Sequence, residues 1–183
     1  FGMVDALDGR YELFKVPLEQ AKKVEDLSSF AAVFILGPDS VYTDRELFLL
    51  DQYLMGGGNL VVASEGASLD LSQLAGEGSL ALPQENSLDR LLFRYGIRVN
   101  KDLIQDLNFG VIQVMGGNFG NQEQLVPMPW PYHFHAGRMY PHPITKGLDQ
   151  VNFRFASSLD TVKADGVKKT PLLFSTERSR ILP

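Results

Sequence analysis

Residues 31–64 limit the fold more tightly than any other part of the chain, because they hold two short apolar runs separated by an amphipathic helical pattern. Ala31-Ala32-Val33-Phe34-Ile35-Leu36 is continuous, with β-branched and aromatic residues at its centre, the pattern of a strand covered on both faces. Asn59-Leu60-Val61-Val62-Ala63 has the same character. The span between the two runs is long enough for the crossover that joins parallel strands, so the pattern predicts one βαβ unit.

The helix between them is signalled at both ends. Thr43-Asp44-Arg45-Glu46 fits a capping box, in which the hydroxyl accepts from an early backbone N–H and Glu46 reaches back to the cap. Leu47, Leu50 and Leu54 form one face, widened by Phe48 and Leu49, and Gly56-Gly57-Gly58 ends it. Three glycines beside a helix invite comparison with a phosphate cradle. Cradle glycines follow a strand and precede a helix, whereas these do the reverse, so they read as a helix cap and turn.

Elsewhere the elements are shorter. Residues 1–7 carry apolar side chains at 1, 3, 4 and 7 and run into Gly9, which predicts the last turns of a helix. The chain opens at Phe1 and begins inside an element, so it reads as a piece of a longer protein whose anchors lie outside it. Residues 11–16 are strand-like and stopped by Pro17, suggesting an outer strand, and a short helix is expected around 24–27. Residues 64–84, rich in Ser, Gly, Ala and Leu, read as a long excursion that includes Gly76-Glu77-Gly78. Asn86 or Ser87 can cap a second helix with an apolar face of Leu88, Leu91, Leu92 and Tyr95, ended by Gly96. Strands are expected over 97–99, 102–107, 111–115, 151–156 and 171–175, with 176–183 as an exit tail.

From 118 to 145 the chain changes character. Pro127, Pro129, Pro131, Pro141 and Pro143 alternate with Trp130, Tyr132, Phe134 and Tyr140. Prolines at this density oppose helix and central strand, so the segment is read as an extended, aromatic-rich loop.

Composition narrows the function classes. A net charge of −5 argues against a phosphate-backbone partner, so no nucleic acid is expected. The absence of cysteine removes disulfides, thiolate zinc sites and cysteine nucleophiles together. No window is apolar over the roughly 18 residues of a membrane span.

Chemistry-bearing residues were weighed against plainer roles. His133, His135 and His142 lie close together, and a His-x-His pair on an extended segment puts both rings on one side, as metal sites require. The third histidine sits between prolines, so the preferred reading is a polar rim on the aromatic loop, with no metal and no cofactor. Asp39, Asp44, Glu46 and Glu65 follow the strands of the central unit, where α/β folds hold ligands, but capping and turn chemistry account for the first three. Ser64, Ser157, Ser158 and Ser175 stand in no nucleophile elbow, and Lys22-Lys23 and Lys168-Lys169 are solvated pairs. No catalytic residue is assigned. The Pro-Trp-Pro-Tyr stretch carries large rings that suit a protein or sugar surface where exposed, and Trp130 is read either as that surface or as core.

Taken in order, Asp51-Gln52-Tyr53-Leu54-Met55-Gly56-Gly57-Gly58, Leu88-Asp89-Arg90-Leu91-Leu92-Phe93-Arg94-Tyr95-Gly96, Gln105-Asp106, Gly120-Asn121-Gln122, Pro129-Trp130-Pro131-Tyr132, His142-Pro143-Ile144-Thr145 and Lys169-Thr170-Pro171-Leu172-Leu173 resemble the GldG family, the gliding-motility-associated ABC transporter auxiliary proteins. The resemblance covers nearly the whole chain. It implies an extracytoplasmic domain on the periplasmic side of a bacterial inner membrane, working beside ABC permease and ATPase subunits, with its membrane spans outside these residues. It carries no catalytic motif. The family also has a strand and a Gly-rich turn ahead of the first helix, and in a flavodoxin-like order that strand would sit between those at 11–16 and 31–36.

The expected fold is therefore α/β: a three-layer, mostly parallel sheet with a flavodoxin-like or class I amidotransferase-like core over 1–85. Residues 86–183 are expected to continue the same domain with extra strands and the aromatic loop. The expected function is non-catalytic binding of partner subunits or cargo through Trp130, Tyr132, His133 and His135. The alternatives are a carbohydrate-binding module using Trp130 and Tyr132, or a metal-dependent hydrolase using His133 and His135.

Overall fold

A computed structural model of the chain describes residues 2–69, 80–119 and 122–183. The expected Gly76-Glu77-Gly78 excursion and Gly120-Asn121 lie outside the described residues. The chain divides into two compact units, Phe1–Ile35 with Tyr42–Val62, and Leu36–Val41 with Ala63–Pro183.

The first unit holds α1 (Gly2–Leu7), a 3-10 turn (Leu18–Gln20), α2 (Glu25–Ser28) and α3 (Asp44–Met55), with most of β1 (Val33–Leu36) and β2 (Leu60–Ala63). The capping box at α3 forms as its sequence dictates. Thr43 Oγ1 accepts from the Glu46 N–H at 3.3 Å, and Glu46 Oε2 accepts from the Thr43 N–H at 2.8 Å. Replacing Thr43 by Ala removes the acceptor for one of the helix's unpaired N–H groups and is expected to cost about 1 kcal/mol. Thermal unfolding should register this as a Tm lower by about 2–4 °C.

At the other end Gly56 caps α3, and Gly57 adopts φ +91°, a conformation that costs a side-chain-bearing residue energy. Leu47, Leu49, Leu50 and Tyr53 form the buried face, so Tyr53 takes the place expected of Leu54. Ala21, Leu27, Leu49 and Tyr53 make a core against which Leu18, Val24, Phe30 and Val33 pack. The Tyr53 hydroxyl donates to the Phe30 carbonyl at 3.0 Å, so the ring buries its apolar body without stranding its polar end.

The βαβ unit is present. Val33 N–H donates to Asn59 O and Gly37 N–H to Ala63 O, both at 2.8 Å; the partners advance in the same direction, so β1 and β2 are parallel. The three-layer, mostly parallel, flavodoxin-like or amidotransferase-like core does not form. Among the described residues β1 pairs only with β2, and every other sheet is antiparallel. The reason is visible on the pair itself: Phe34, Leu36, Val61 and Ala63 are exposed, while Ile35 is buried. One face is covered, not two, and a parallel sheet of several strands needs both. Residues 11–16, expected as an outer strand, have no regular structure and are exposed.

The second unit is β-rich. It contains β3 (Ala67–Leu69), β4 (Ala81–Pro83), α4 (Leu88–Arg94), β5 (Ile97–Val99), β6 (Leu103–Asp106), β7 (Phe109–Phe119), β8 (Gln122–Ala136), β9 (Arg138–Met139), β10 (Val151–Arg154), β11 (Leu159–Thr161), β12 (Leu173–Phe174) and β13 (Ser179–Leu182). Pairing is antiparallel throughout: β3 with β4, β11 with β5, β12 with β9, β13 with β6, and a three-stranded sheet in the order β10-β8-β7. The expected exit tail is thus strand β13, its Leu182 opposite Leu103. Asn86, not Ser87, supplies the cap of α4: its Oδ1 accepts from Leu88 N–H at 3.1 Å, and Ser87 makes no side-chain cap bond.

The proline-rich segment is a strand over 122–136, not the extended loop the prolines predicted. The strand is central at one end only. β10 pairs with 133–136, which lack proline, whereas β7 pairs with 122–129 and, past a register shift, with Phe134. Pro127 and Pro129 are two residues apart, so their missing N–H groups point the same way, toward the side β10 does not cover.

Candidate functional site

The aromatic side chains are gathered by an irregularity in β8. Phe109 lies opposite Phe134 and Val111 opposite Pro129, so β8 spends five residues where β7 spends two. The extra residues fall in Trp130-Pro131-Tyr132-His133, which bulges out of the ladder. Beyond the bulge β8 is held firmly. His135 N–H donates to Asn108 O at 2.8 Å, the Asn108 side chain returns a bond to His135 O at 2.7 Å, and Phe155 N–H donates to Tyr132 O at 2.9 Å.

Phe155 completes the cluster. Its φ of +51° is a left-handed conformation that costs a bulky residue energy. The ring stacks on Tyr132 with centroids 6.2 Å apart and takes the edge of His133 at 4.8 Å, and Trp130 meets Tyr132 at 5.8 Å. Sequence reasoning placed Phe155 in a strand but assigned it no part in the site. The alternation of Val151, Phe153 and Phe155 was the available signal, and the left-handed turn could not be read from it.

Two polar atoms in the cluster are buried without a partner among the described residues, Trp130 Nε1 and His133 Nε2. Trp130 is half-buried, neither fully core nor fully exposed. Burial, reinforced by the positive charge of Arg154 across the strand pair, holds the His133 imidazole pKa below its ordinary value. A depressed histidine pKa means the unfolded chain binds the extra proton. The contribution of His133 to stability is therefore complete above about pH 6.5 and is lost as pH falls toward the lower folded value. Tm measured across that range should fall on the acid side, and H133F should flatten the slope.

His135 lies elsewhere, its ring against the backbone of Gly110, where an added Cβ would approach Nε2 to 3.2 Å. His142 is a turn residue whose Nδ1 accepts from Ile144 N–H at 3.2 Å. Among the described residues no group of three or more His, Cys, Asp or Glu is placed to hold a metal.

The remaining candidates are tied into structure. Ser64 accepts from the Asn86 side chain at 3.1 Å, and Ser175 bonds Ser179 at 2.8 Å. Ser157 donates to the Asp102 carbonyl at 2.7 Å, and Ser158 donates through its N–H and hydroxyl to the Asp102 carboxylate at 2.7 and 2.6 Å. Glu46 serves the α3 cap, and Asp39 accepts from Ser40 at 3.0 Å. A shallow recess is lined by Ser64, Glu65, Gly66, Gln84, Asn86 and Lys101 among others. Its Gln84 side chain is committed to Pro38 O at 2.7 Å and its Lys101 ammonium to Gln84 O.

No helix among the described residues is long and apolar enough to cross a membrane. The structure is similar to the mmIFT52 N-terminal domain at 18% sequence identity and a TM-score of 0.63, covering 97% of this chain and 65% of that one. The chain thus spans less than two thirds of that protein's length, and at this identity the likeness is one of fold. No curated protein matches the chain. A family model described as "ABC-type uncharacterized transport system" matches residues 1–183. The chain therefore belongs to this family of auxiliary components of ABC-type transport systems.

Proposed function

We propose that this chain is a non-catalytic, extracytoplasmic module of a bacterial ABC-type transport system of the gliding-motility kind. In this reading it lies on the periplasmic side of the inner membrane, attached through segments outside these residues, and it serves by binding partner subunits or cargo. The observation that carries the reading is the bulged β8 segment, where Trp130, Tyr132 and His133 stand half-buried. Large rings that keep part of their surface are the kind of anchor around which protein interfaces concentrate binding energy. His135, two residues along on the same strand, has its ring against Gly110 and is not part of the proposed contact.

The permease and ATPase subunits are the partners proposed, reached through the full-length protein. Co-purification of those subunits from membranes is expected to be lost with Trp130→Ala while thermal unfolding shows the fold retained. Unchanged co-purification would reject the aromatic segment as the contact. The chain contains one tryptophan, so its fluorescence reports on the same residue. Quenching of that fluorescence by a glycan would replace partner binding with carbohydrate binding.

A further inference from the structure

We propose that the free edge of β7 is a self-association site, through which two copies of this chain pair antiparallel over 111–115 about a two-fold axis at Gln113. The inference is independent of the aromatic segment and rests on the ladder between β7 and β8.

Among the described residues β7 has one neighbour, β8, so its other edge is unpaired. The edge of β8 that β10 leaves uncovered is blunted by Pro127 and Pro129, which have no N–H to offer. Because those prolines cannot donate to β7, the bonded pairs of the ladder are Ile112 with Met128 and Val114 with Val126. The N–H and C=O groups of Val111, Gln113 and Met115 therefore point away from β8. Among the described residues this row lacks two of the usual protections. There is no proline, and from 107 to 122 no charged residue.

The occupant follows from the pattern of the edge. Register shifts bound the regular stretch on both sides, one between Phe109 and Val111 and one between Met115 and Asn118, which leaves 111–115 as an uninterrupted segment centred on Gln113. That segment reads apolar, apolar, polar, apolar, apolar from either end. A two-fold axis at Gln113 sets Val111 opposite Met115 of the second copy, Ile112 opposite Val114, and Gln113 opposite itself, where two amides can bond each other. Such self-complementarity is what an isologous interface needs. An uncharged edge also gives a charged partner strand nothing to read.

Pairing would cover exposed apolar surface. Val111 is 60% exposed and Met115 58%, and on the same face Leu125 is 59% exposed. Over 111–115, where β10 does not reach, joining the two copies sets four strands side by side, relieving the marginal stability of a two-stranded ribbon in water. An interface of a few residues a side lies at the small end of the range, so a concentration-dependent monomer–dimer equilibrium is expected.

Sedimentation equilibrium of the 183-residue chain over a concentration series tests this. The chain should pass from monomer to dimer, and Q113K and Q113E should each abolish the dimer by setting like charges on the axis. An equimolar mixture of the two variants should restore it. Gln113 is exposed, so at concentrations where the parent is monomeric both variants should keep its Tm, and Trp130→Ala should leave the dimer intact. Amide exchange gives a second reading: Ile112 and Val114 should be protected at every concentration, and Val111, Gln113 and Met115 only as the dimer forms. A chain that stays monomeric throughout, a Q113K dimer as tight as the parent's, or alternating protection that ignores concentration would each overturn the proposal. A monomeric chain whose outward amides become protected only on adding the permease would assign the edge to that subunit instead.

Discussion

Gly66→Ala is expected to destabilise the second unit by about 3 kcal/mol or more, the upper range for overpacking a filled site. A Cβ at Gly66 would collide with the backbone carbonyl of Asn100 and stand 2.7 Å from Ser157 Oγ. A flexible side chain could swing aside, but a main-chain carbonyl cannot. Relief requires the segment around Gly66 to move, and that segment is bonded on both sides. Gly66 N–H donates to Ser157 Oγ at 3.0 Å, and Gly66 O accepts from Gln84 N–H at 2.9 Å. Ser157 in turn holds the Asp102 carbonyl. Displacement at 66 therefore loosens the Asp102-Ser157-Ser158 network as well, and denaturant unfolding should show a lower midpoint. A variant as stable as the parent would mean that this approach is looser than described.

Asp106→Ala should cost about 3 kcal/mol, on the scale of lost hydrogen bonds to a buried charged group, and lower Tm by about 6–12 °C. Asp106 is 1% exposed. Its Oδ1 accepts from Asn108 N–H at 2.9 Å and from the Thr176 hydroxyl at 2.6 Å, and its Oδ2 accepts from Thr176 N–H at 2.6 Å. These bonds pin the end of β6 to the turn that launches β13. Burial by itself would raise the carboxyl pKa, but the donors from Asn108 and Thr176 outweigh it and hold the group below the usual carboxylate range. The stabilisation is present above about pH 3.9 and is lost as pH falls through the lower folded value. Asp106→Asn keeps the shape, gives up the charge, and should remove that acid-side slope while costing less than Ala.

The local elements were largely readable from the chain. Thr43 and Glu46 start α3, Gly56 and Gly57 end it, and the run at 111–115 is a strand, because each outcome is settled by neighbours a few residues away. The pairing of strands was not. Residues 176–183 looked like a tail because their apolar content is slight, yet their β13 segment docks along β6 about seventy residues earlier in the chain. The prolines at 127, 129 and 131 argued against a strand, and the argument missed that they alternate and so spare the edge facing β7.

The candidate site divides the same way. Trp130, Tyr132 and His133 stand together in the sequence and in the fold, but Phe155, the ring that joins two of them, comes from the bend after β10 in a left-handed conformation. His135 was grouped with His133 by spacing, and the fold gives it different surroundings.

By itself the sequence determined where α3 begins and ends, that 111–115 extends, and that large rings crowd into 130–134. These depend on capping, periodicity and backbone restriction, all short-range. Only the tertiary structure decided that the βαβ unit stays a single parallel pair, that the rest is antiparallel, and that the proline-rich segment is a strand. Those outcomes turn on which faces find cover and which edges find partners across the chain, and local pattern carries no record of either.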